Sequence, residues 1–434
     1  MPPLSPQERD ELANSDEAFW RRQEKRRERG MGQPCCTQSG VSWSMIDVPG
    51  DFAVVVHGEF DCVNCFHHHI GRSARRFFST RLTEAQLTRG DTQGALRRCL
   101  RLIAAEEAPP MVLVLGTCPV EVIGDPFFEV VAEVARETGI PMVPMRTSGL
   151  KLTSQREMLD WLYATLAESA PQGEGAAVVN LFGLPGPRRG RPEPALVLER
   201  AGVAMGACLP QGASWQDWQA CRSARVTALV DRSMVPRLIT VLEAVGQEIV
   251  ELPHPVGLGP TREMYAVLDR IADAQGAVLD AIAEDLAAAE AEVAAARERL
   301  AGKRVGVAIR MLNAYHLGSL VHEGLGEVPA LLELGLDVEL LVQGPTDPEV
   351  QAAFAASLDA RGVGHLPFEV FPAPWALPAV LARKRYDLIS MADSSAHAAA
   401  DTRTPFLPTG ALEPYLSGIG PNLRRIERLL RGGR

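Results

Sequence analysis

Short apolar runs alternate with longer amphipathic stretches along the first part of the chain. The strand-like runs, each bounded by polar or turn-forming residues, are FAVVV (52–56), MVLVL (111–115) and IPMVPM (140–145). Stretches with helical periodicity lie at 93–107, 127–139 and 155–169. This alternation is typical of βαβ organisation, in which helices cover both faces of a parallel sheet. An α/β fold is therefore predicted for this region.

The same alternation returns twice further along the chain. A second set of strand-like runs is AAVVNLFG (176–183), RVTALVD (225–231) and QEIVELP (247–253). A third set is GKRVGVAI (302–309), DVELLV (337–342) and YDLISM (386–391), followed by a helical stretch at 421–432. We predict a charged N-terminal arm and three α/β units in succession, with boundaries at 1–32, 33–172, 173–300 and 301–434.

Two further segments carry local predictions. Pro185 to Pro194 is rich in proline and glycine, and its prolines lack an amide donor, so it is predicted to be a surface loop. Tyr265 to Leu300 is rich in alanine and other strong helix formers. It is predicted to form one long helix that leads into the third unit.

Composition and charge argue against nucleic-acid and membrane partners. The chain has 434 residues, a formal net charge of -10 and a pI of about 5.5, so it lacks the basic surface expected of a nucleic-acid binder. No apolar stretch of transmembrane length occurs, and the N-terminus has no apolar signal core. We expect a cytoplasmic protein with no nucleic-acid or membrane partner.

Three cysteine positions indicate metal chemistry. Cys62 and Cys118 each follow an apolar strand-like run, and Cys36 lies in a glycine-flanked loop beside Cys35. Loops that follow parallel strands converge at one edge of an α/β sheet. Thiolates brought together in this way suit an iron-sulfur cluster, since soft sulfur donors favour iron.

A zinc site is the alternative use of these thiols. Cys62 and Cys65 form a C-x-x-C pair, and three histidines follow at 67–69. A structural zinc site would need a second ligand pair at standard spacing, and no second C-x-x-C follows. The iron-sulfur interpretation is therefore preferred.

Longer motifs around the cysteines resemble component 1 of nitrogenase and the nitrogenase-like reductases. They are HGEFDC (57–62), LTEAQLTRGDTQGAL (82–96) and GTCPVEVIGD (116–125). The last is similar to the family's T-C-x-x-E-x-I-G-D-D loop, with Pro126 in place of the final Asp. The resemblance extends from Gln33 to the C-terminus. It implies three Rossmann-like units and an interfacial cluster bound by Cys36, Cys62 and Cys118, with Cys35 open as the first ligand instead of Cys36.

The resemblance also indicates the type of subunit. In the α subunit of nitrogenase, a cysteine of the second domain ligates the catalytic cofactor. The corresponding position here is Val230 or Asp231, neither of which ligates iron well. The segment LPHPVGLGPTREM (252–264) resembles the P-x-G-x-x-x-T segment of the β-type subunit. This implies a β-type subunit whose partner would hold any complex iron-sulfur cofactor.

The resemblance implies that the chain is an oxidoreductase subunit of a multi-component reductase. An ATP-dependent iron-sulfur reductase component would deliver electrons to an 8Fe-7S P-cluster-like or 4Fe-4S cluster, which relays them to a homologous α-type subunit in an α2β2 heterotetramer. A homodimer is the alternative assembly. Reductive C-S cleavage by a methylthio-alkane reductase is the favoured reaction. The alternatives are a (proto)chlorophyllide reductase subunit, a nitrogenase β subunit and a cofactor-assembly scaffold.

Overall fold

The structure is a computed structural model that describes residues 51–59, 62, 76–148, 155–171, 177–186, 191–210, 212–310, 325–344, 348–359, 362–372, 374–391 and 404–432. They form two compact units. The N-terminal unit contains the described residues up to 199 together with Val203–Glu251. The C-terminal unit contains Arg200–Gly202 and the described residues from 252 onward. The predicted arm at 1–32 lies outside the described residues.

The first sheet of the N-terminal unit has four parallel strands in the order β2-β1-β3-β4. They are β1 (Ala53–His57), β2 (Phe77–Ser79), β3 (Val112–Gly116) and β4 (Met142–Arg146). The chain passes from β1 outward to β2 and then returns to β3 on the other side of β1. The strand order therefore reverses between β1 and β3, and a crevice opens at the carboxyl ends of such a strand pair.

The second sheet of this unit repeats the arrangement, with four parallel strands in the order β6-β5-β7-β8. They are β5 (Val179–Phe182), β6 (Met205–Leu209), β7 (Val226–Leu229) and β8 (Glu248–Glu251). Here the order reverses between β5 and β7.

Eight helices accompany the two sheets in the described part of the N-terminal unit. They are α1 (Glu84–Arg89), α2 (Gln93–Glu106), α3 (Cys118–Val122), α4 (Phe127–Thr138), α5 (Gln155–Ser169), α6 (Glu193–Arg200), α7 (Trp215–Ala220) and α8 (Pro236–Glu243). Short 3-10 turns lie at Cys221–Ser223 and Arg232–Met234.

Alternate residues of β1 enter two different hydrophobic cores. Ala53 and Val55 pack in the core formed with α2 and α4, whereas Val54 and Val56 belong to a second core. That second core also contains Met158 of α5 and Leu229 of the second sheet. Since successive side chains of a strand point to opposite faces, the first sheet is buried on both faces, as predicted for a parallel sheet.

The C-terminal unit contains one parallel sheet in the order β11-β10-β9-β12-β13. Its strands are β9 (Arg304–Arg310), β10 (Asp337–Gln343), β11 (Phe368–Phe371), β12 (Leu388–Met391) and β13 (Phe406–Pro408). Its helices are α9 (Leu258–Ile271), α10 (Ala277–Asp280), α11 (Ala283–Leu300), α12 (Val328–Glu333), α13 (Pro348–Asp359), α14 (Leu377–Lys384) and α15 (Tyr415–Gly432). A 3-10 turn lies at Pro374–Ala376.

The predicted α/β class with parallel sheets is confirmed. The described residues form three sheets, and each lies within one of the three predicted α/β units. The exact division at 33–172, 173–300 and 301–434 stays a prediction. The chain separates into two compact units, and the chain passes from one to the other between Glu251 and Leu252. Among the described helices, none is both long and apolar enough to cross a membrane.

The prediction of one helix from Tyr265 to Leu300 is wrong. The region contains three helices, with breaks after Ile271 and Asp280. Asp273, Gln275 and Gly276 have positive φ, with Gly276 at +95°. The carboxylate of Asp269 accepts the amides of Gly276 (3.0 Å) and Val278 (3.0 Å), so it caps the second helix and fixes the turn.

The predicted loop at Pro185 to Pro194 extends too far. Helix α6 begins at Glu193, so Pro194 lies in its first turn. Proline is tolerated there because the first amides of a helix have no intrahelical acceptor.

Candidate functional site

Cys62 and Cys118 follow the two strands between which the order of the first sheet reverses. His57, the last residue of β1, is in register with Gly116, the last residue of β3. Cys62 lies five residues beyond the end of β1, and Cys118 is the first residue of α3, two residues beyond the end of β3. Both cysteines are partly exposed. The sheet thus brings two of the three predicted ligand loops to one edge.

Backbone contacts hold the starts of these two loops together. The carbonyl oxygen of His57 accepts both the amide and the hydroxyl of Thr117, each at 3.1 Å. Thr117 is the residue directly before Cys118. The start of the second cysteine loop is therefore fixed to the end of β1.

Two glycines allow this close approach. A Cβ on Gly58 would overlap the Thr117 side chain, and a Cβ on Gly116 would lie 2.6 Å from the Phe127 ring. Real Cβ contacts are not that short, so either substitution would push the loops apart.

The first loop is also held from its other side, by residues that follow β2. The Gly58 amide donates to the Thr80 hydroxyl (3.1 Å), and the Leu82 amide donates to the Gly58 carbonyl (2.8 Å). Glu59 and Leu82 form an isolated parallel bridge. The backbone directly after β1 therefore continues the sheet towards Cys62.

A buried imidazole and a buried carboxylate face each other where β1 and α3 end. The imidazole Nε2 of His57 is 3.7 Å from the carboxylate Oδ2 of Asp125, and the two side chains are 0% and 1% exposed. On its other side, Nδ1 of His57 is 3.1 Å from the Thr80 hydroxyl. The Thr92 hydroxyl donates to Oδ2 of Asp125.

Asp125 is held by the turn that ends α3, the helix that Cys118 begins. Its amide donates to the Val120 carbonyl (3.1 Å), and Gly124 before it has a φ of +68°. Burial disfavours the charged carboxylate, but the His57 imidazole and the Thr92 hydroxyl outweigh it, so the pKa of Asp125 lies below its usual range. Asp125 is therefore an anion at neutral pH.

The sequence interpretation did not assign roles to His57, Asp125 or Thr92. Their signal was nevertheless present, since His57 begins the first family motif and Asp125 ends the third. A polar side chain at the end of an apolar strand is often buried, and a buried polar side chain needs a hydrogen-bond partner.

The remaining predicted ligand, Cys36, lies outside the described residues, as do Cys35, Cys65 and the histidines at 67–69. Among the described side chains, no group of three or more His, Cys, Asp or Glu is arranged to hold a metal. The donors that the described edge does provide are the thiols of Cys62 and Cys118. Thiols that follow two adjacent strands are the donor type of an iron-sulfur cluster and fit that group.

The other described cysteines lie in different surroundings. Burial raises the pKa of the Cys99 thiol to about 11 and that of the Cys221 thiol to about 12. It also raises the pKa of Cys208. Cys221 is part of the core shared by the two sheets. A raised pKa is typical of a packing thiol, and Cys208 also lies beside Arg191. The packing role of Cys208 and Cys221 stays a prediction.

The second sheet has a comparable edge, where the sequence placed Val230 or Asp231 at the position of a cofactor ligand. Both follow β7, which lies beside β5. Oδ1 of Asp231 accepts the amide (3.0 Å) and hydroxyl (2.7 Å) of Ser233, so this carboxylate caps a 3-10 turn.

Comparison with known proteins identifies the family. The model of the nitrogenase component 1 type oxidoreductases matches residues 36–412. Two curated relatives are the nitrogenase iron-molybdenum cofactor biosynthesis protein NifE of Mesorhizobium japonicum and that of Sinorhizobium fredii. They are 28% identical to this chain over 319 and 320 residues, and each alignment covers 66% of this chain. The chain spans 60% of the length of each relative.

A solved structure gives the same result for the fold. Nitrogenase Cp1 at pH 6.5 superposes with a TM-score of 0.67 at 15% identity, covering 93% of this chain and 90% of that chain. At this identity the likeness concerns the fold alone. Because the family model spans most of the sequence and begins at Cys36, the protein belongs to the nitrogenase component 1 type oxidoreductase family.

Proposed function

We propose that this chain binds an iron-sulfur cluster and serves as a scaffold subunit in the assembly of an iron-sulfur cofactor. The observation that carries the cluster site is the placement of Cys62 and Cys118 after β1 and β3, the neighbouring strands between which the order of the first sheet reverses. Crevices of this kind are where α/β folds bind their ligands.

The proposed ligands are Cys62, Cys118 and Cys36, with Cys35 as the alternative to Cys36. When bound, a cluster of 8Fe-7S or 4Fe-4S type would supply one-electron chemistry and a site for holding iron and sulfide. The residues of this chain bind and orient it. The His57 carbonyl fixes Thr117, and Thr117 in turn fixes the start of the helix that carries Cys118.

The assembly role rests on the relatives. Their names describe biosynthesis of the nitrogenase iron-molybdenum cofactor, and two of them align with 66% of this chain. The sequence resemblance puts Val230 or Asp231 at the position where a catalytic α subunit has a cysteine, and the carboxylate of Asp231 caps a 3-10 turn. A cofactor built on this protein would then be held mainly by a homologous α-type partner, in a heterotetramer.

An electron-relay subunit of a reductase is the second candidate. It is favoured by the description of the family as oxidoreductases and by the presence of all three cysteines, which a relay cluster needs. In this role an ATP-dependent iron-sulfur reductase component would supply electrons to the cluster. The substrate of the partner subunit would be a methylthio-alkane, with a (proto)chlorophyllide or dinitrogen as the other possibilities.

One experiment separates the two roles. The chain is purified without oxygen together with its natural partner, after growth with radioactive iron. It is then incubated with the cofactor-free catalytic component 1 protein of the same cell, and the iron that moves to this acceptor is counted. A scaffold transfers its iron and activates the acceptor.

The same preparation is assayed with the ATP-dependent reductase component and methylthio-ethanol. Multiple turnovers with iron retained on the complex would support the relay and contradict the scaffold. Iron transfer without turnover is the expected result. The Cys118→Ala variant, purified in the same way, is the control for iron bound elsewhere.

A further inference from the structure

We propose that His57 and Asp125 are positioning residues for the cluster, and that their buried contact sets the relative placement of the loops that carry Cys62 and Cys118. This inference rests on the proposed cluster site and concerns how the chain shapes it. The two residues do not act as ligands.

His57 contacts the second loop through its carbonyl and Thr80, which follows β2, through its side chain. Its carbonyl binds Thr117 of the second loop, and its Nδ1 contacts the Thr80 hydroxyl, which also accepts the amide of Gly58. Since Gly58 follows His57 directly and leads towards Cys62, a shift of the imidazole would move the backbone of this loop.

Asp125 is connected to the second loop. Its amide is bound to Val120 inside α3, and Phe127 of the next helix packs against the His57 ring at a centroid distance of 5.9 Å. The contact between Oδ2 of Asp125 and Nε2 of His57 therefore joins the end of the Cys118 helix to the end of β1.

The burial of this pair makes the link specific. A buried carboxylate without a partner is costly away from water, so the groups that face Asp125 restrict where its side chain can lie. The lowered pKa of Asp125 is consistent with a carboxylate that stays charged at neutral pH. Groups behind metal ligands commonly control ligand orientation and the electronic properties of the metal.

The test compares Asp125→Asn with Asp160→Asn. Asp160 is a suitable control because it is also buried, lies in the same unit and caps helix α8 through the amides of Arg237 and Leu238. The iron-loaded complex of each variant is examined by electron paramagnetic resonance and redox titration. The rate of iron loss to a chelator is measured in the same samples.

Asp125→Asn is expected to change the resonance spectrum, shift the midpoint potential and speed iron loss about 10-fold or more. Asp160→Asn should leave the spectrum and potential as in the wild type. If Asp125→Asn proves insoluble, Thr92→Val is used, since it removes the hydroxyl that donates to Asp125. Its effect should have the same direction.

Two different failures can be told apart. Wild-type protein without iron would contradict the proposed cluster itself. In the second case, Cys118→Ala loses its iron, but the wild type, Asp125→Asn and Thr92→Val have identical spectra and potentials. This result would overturn only the positioning role of His57 and Asp125.

Discussion

Nε2 of His57 lies 3.7 Å from Oδ2 of Asp125, and both side chains are almost wholly buried. Removing the carboxylate would leave the buried Thr92 hydroxyl and His57 imidazole without the group that they face, and a buried polar group without a partner costs about 1–3 kcal/mol. Asp125→Ala should therefore lower the free energy of unfolding of the N-terminal unit by about 2 kcal/mol at pH 7. Urea unfolding followed by tryptophan fluorescence measures this, since Trp161, Trp215 and Trp218 lie in that unit.

The same residue gives a pH dependence with a defined sign. The pKa of Asp125 is lowered in the folded protein, so its contribution is complete above the unfolded value of about 4 and is lost as pH falls through the folded pKa. The difference in unfolding free energy between wild type and Asp125→Ala should thus shrink as pH falls below about 4. A difference that stays constant down to pH 3 would contradict the assignment.

Gly58→Ala should destabilise the N-terminal unit and reduce its bound iron, because the new methyl group would overlap the Thr117 side chain. Gly94→Ala is the matched control. It lies in α2, where the nearest heavy atom to the added Cβ is Nη1 of Arg98 at 3.5 Å. This control should keep its iron and gain up to about 1 kcal/mol of stability. Equal iron contents in the two variants would contradict the close approach of the loops.

Sequence patterns located the main strands well. The runs 52–56 and 111–115 correspond to β1 and β3 within one residue, because a strand buried on both faces is apolar throughout. Strand β2 was not predicted, since its three residues, Phe77–Ser79, are too short to give a periodic signal. The break in the alanine-rich region was missed because the Asp269 cap that favours it is a local polar contact, which helix propensity does not describe.

The candidate site could be predicted only in part. The positions of Cys62 and Cys118 after apolar runs indicated one sheet edge, and the strand order places them beside the same reversal. The His57 and Asp125 contact was not accessible in this way. It depends on the register of β1 against β3 and on the turn at Gly124, and neither is encoded by a local pattern.

Arg385 offers a test of backbone strain in the C-terminal unit. It ends α14 in the left-handed conformation, with a φ of +54°, and its side chain is exposed. Glycine adopts this conformation without steric cost, so Arg385→Gly should raise the free energy of unfolding by up to about 1 kcal/mol. Arg385→Ala keeps the strain and should give no gain. Hydrogen exchange of the Leu377–Lys384 helix measures both variants, and equal protection would contradict this account.

Glu327 should make the C-terminal unit less stable as pH rises. Burial raises the pKa of this carboxyl even though it accepts the Leu412 amide (2.9 Å) and the Ser390 hydroxyl (3.3 Å). The folded unit therefore holds the proton more tightly than the unfolded chain, and stability falls as pH rises from about 4 through the raised pKa. Glu327→Gln should lose this part of the pH slope in hydrogen exchange of β12. An unchanged slope would contradict the prediction.

The most direct test of the cluster site is the iron, sulfide and zinc content of protein purified without oxygen. The wild type should contain iron and sulfide, and Cys62→Ala and Cys118→Ala should each lose them. Cys221→Ala, a substitution of a fully buried core cysteine, should keep them. Iron that is unchanged in both ligand variants, or wild-type protein that contains zinc without iron, would contradict an iron-sulfur cluster held by Cys62 and Cys118.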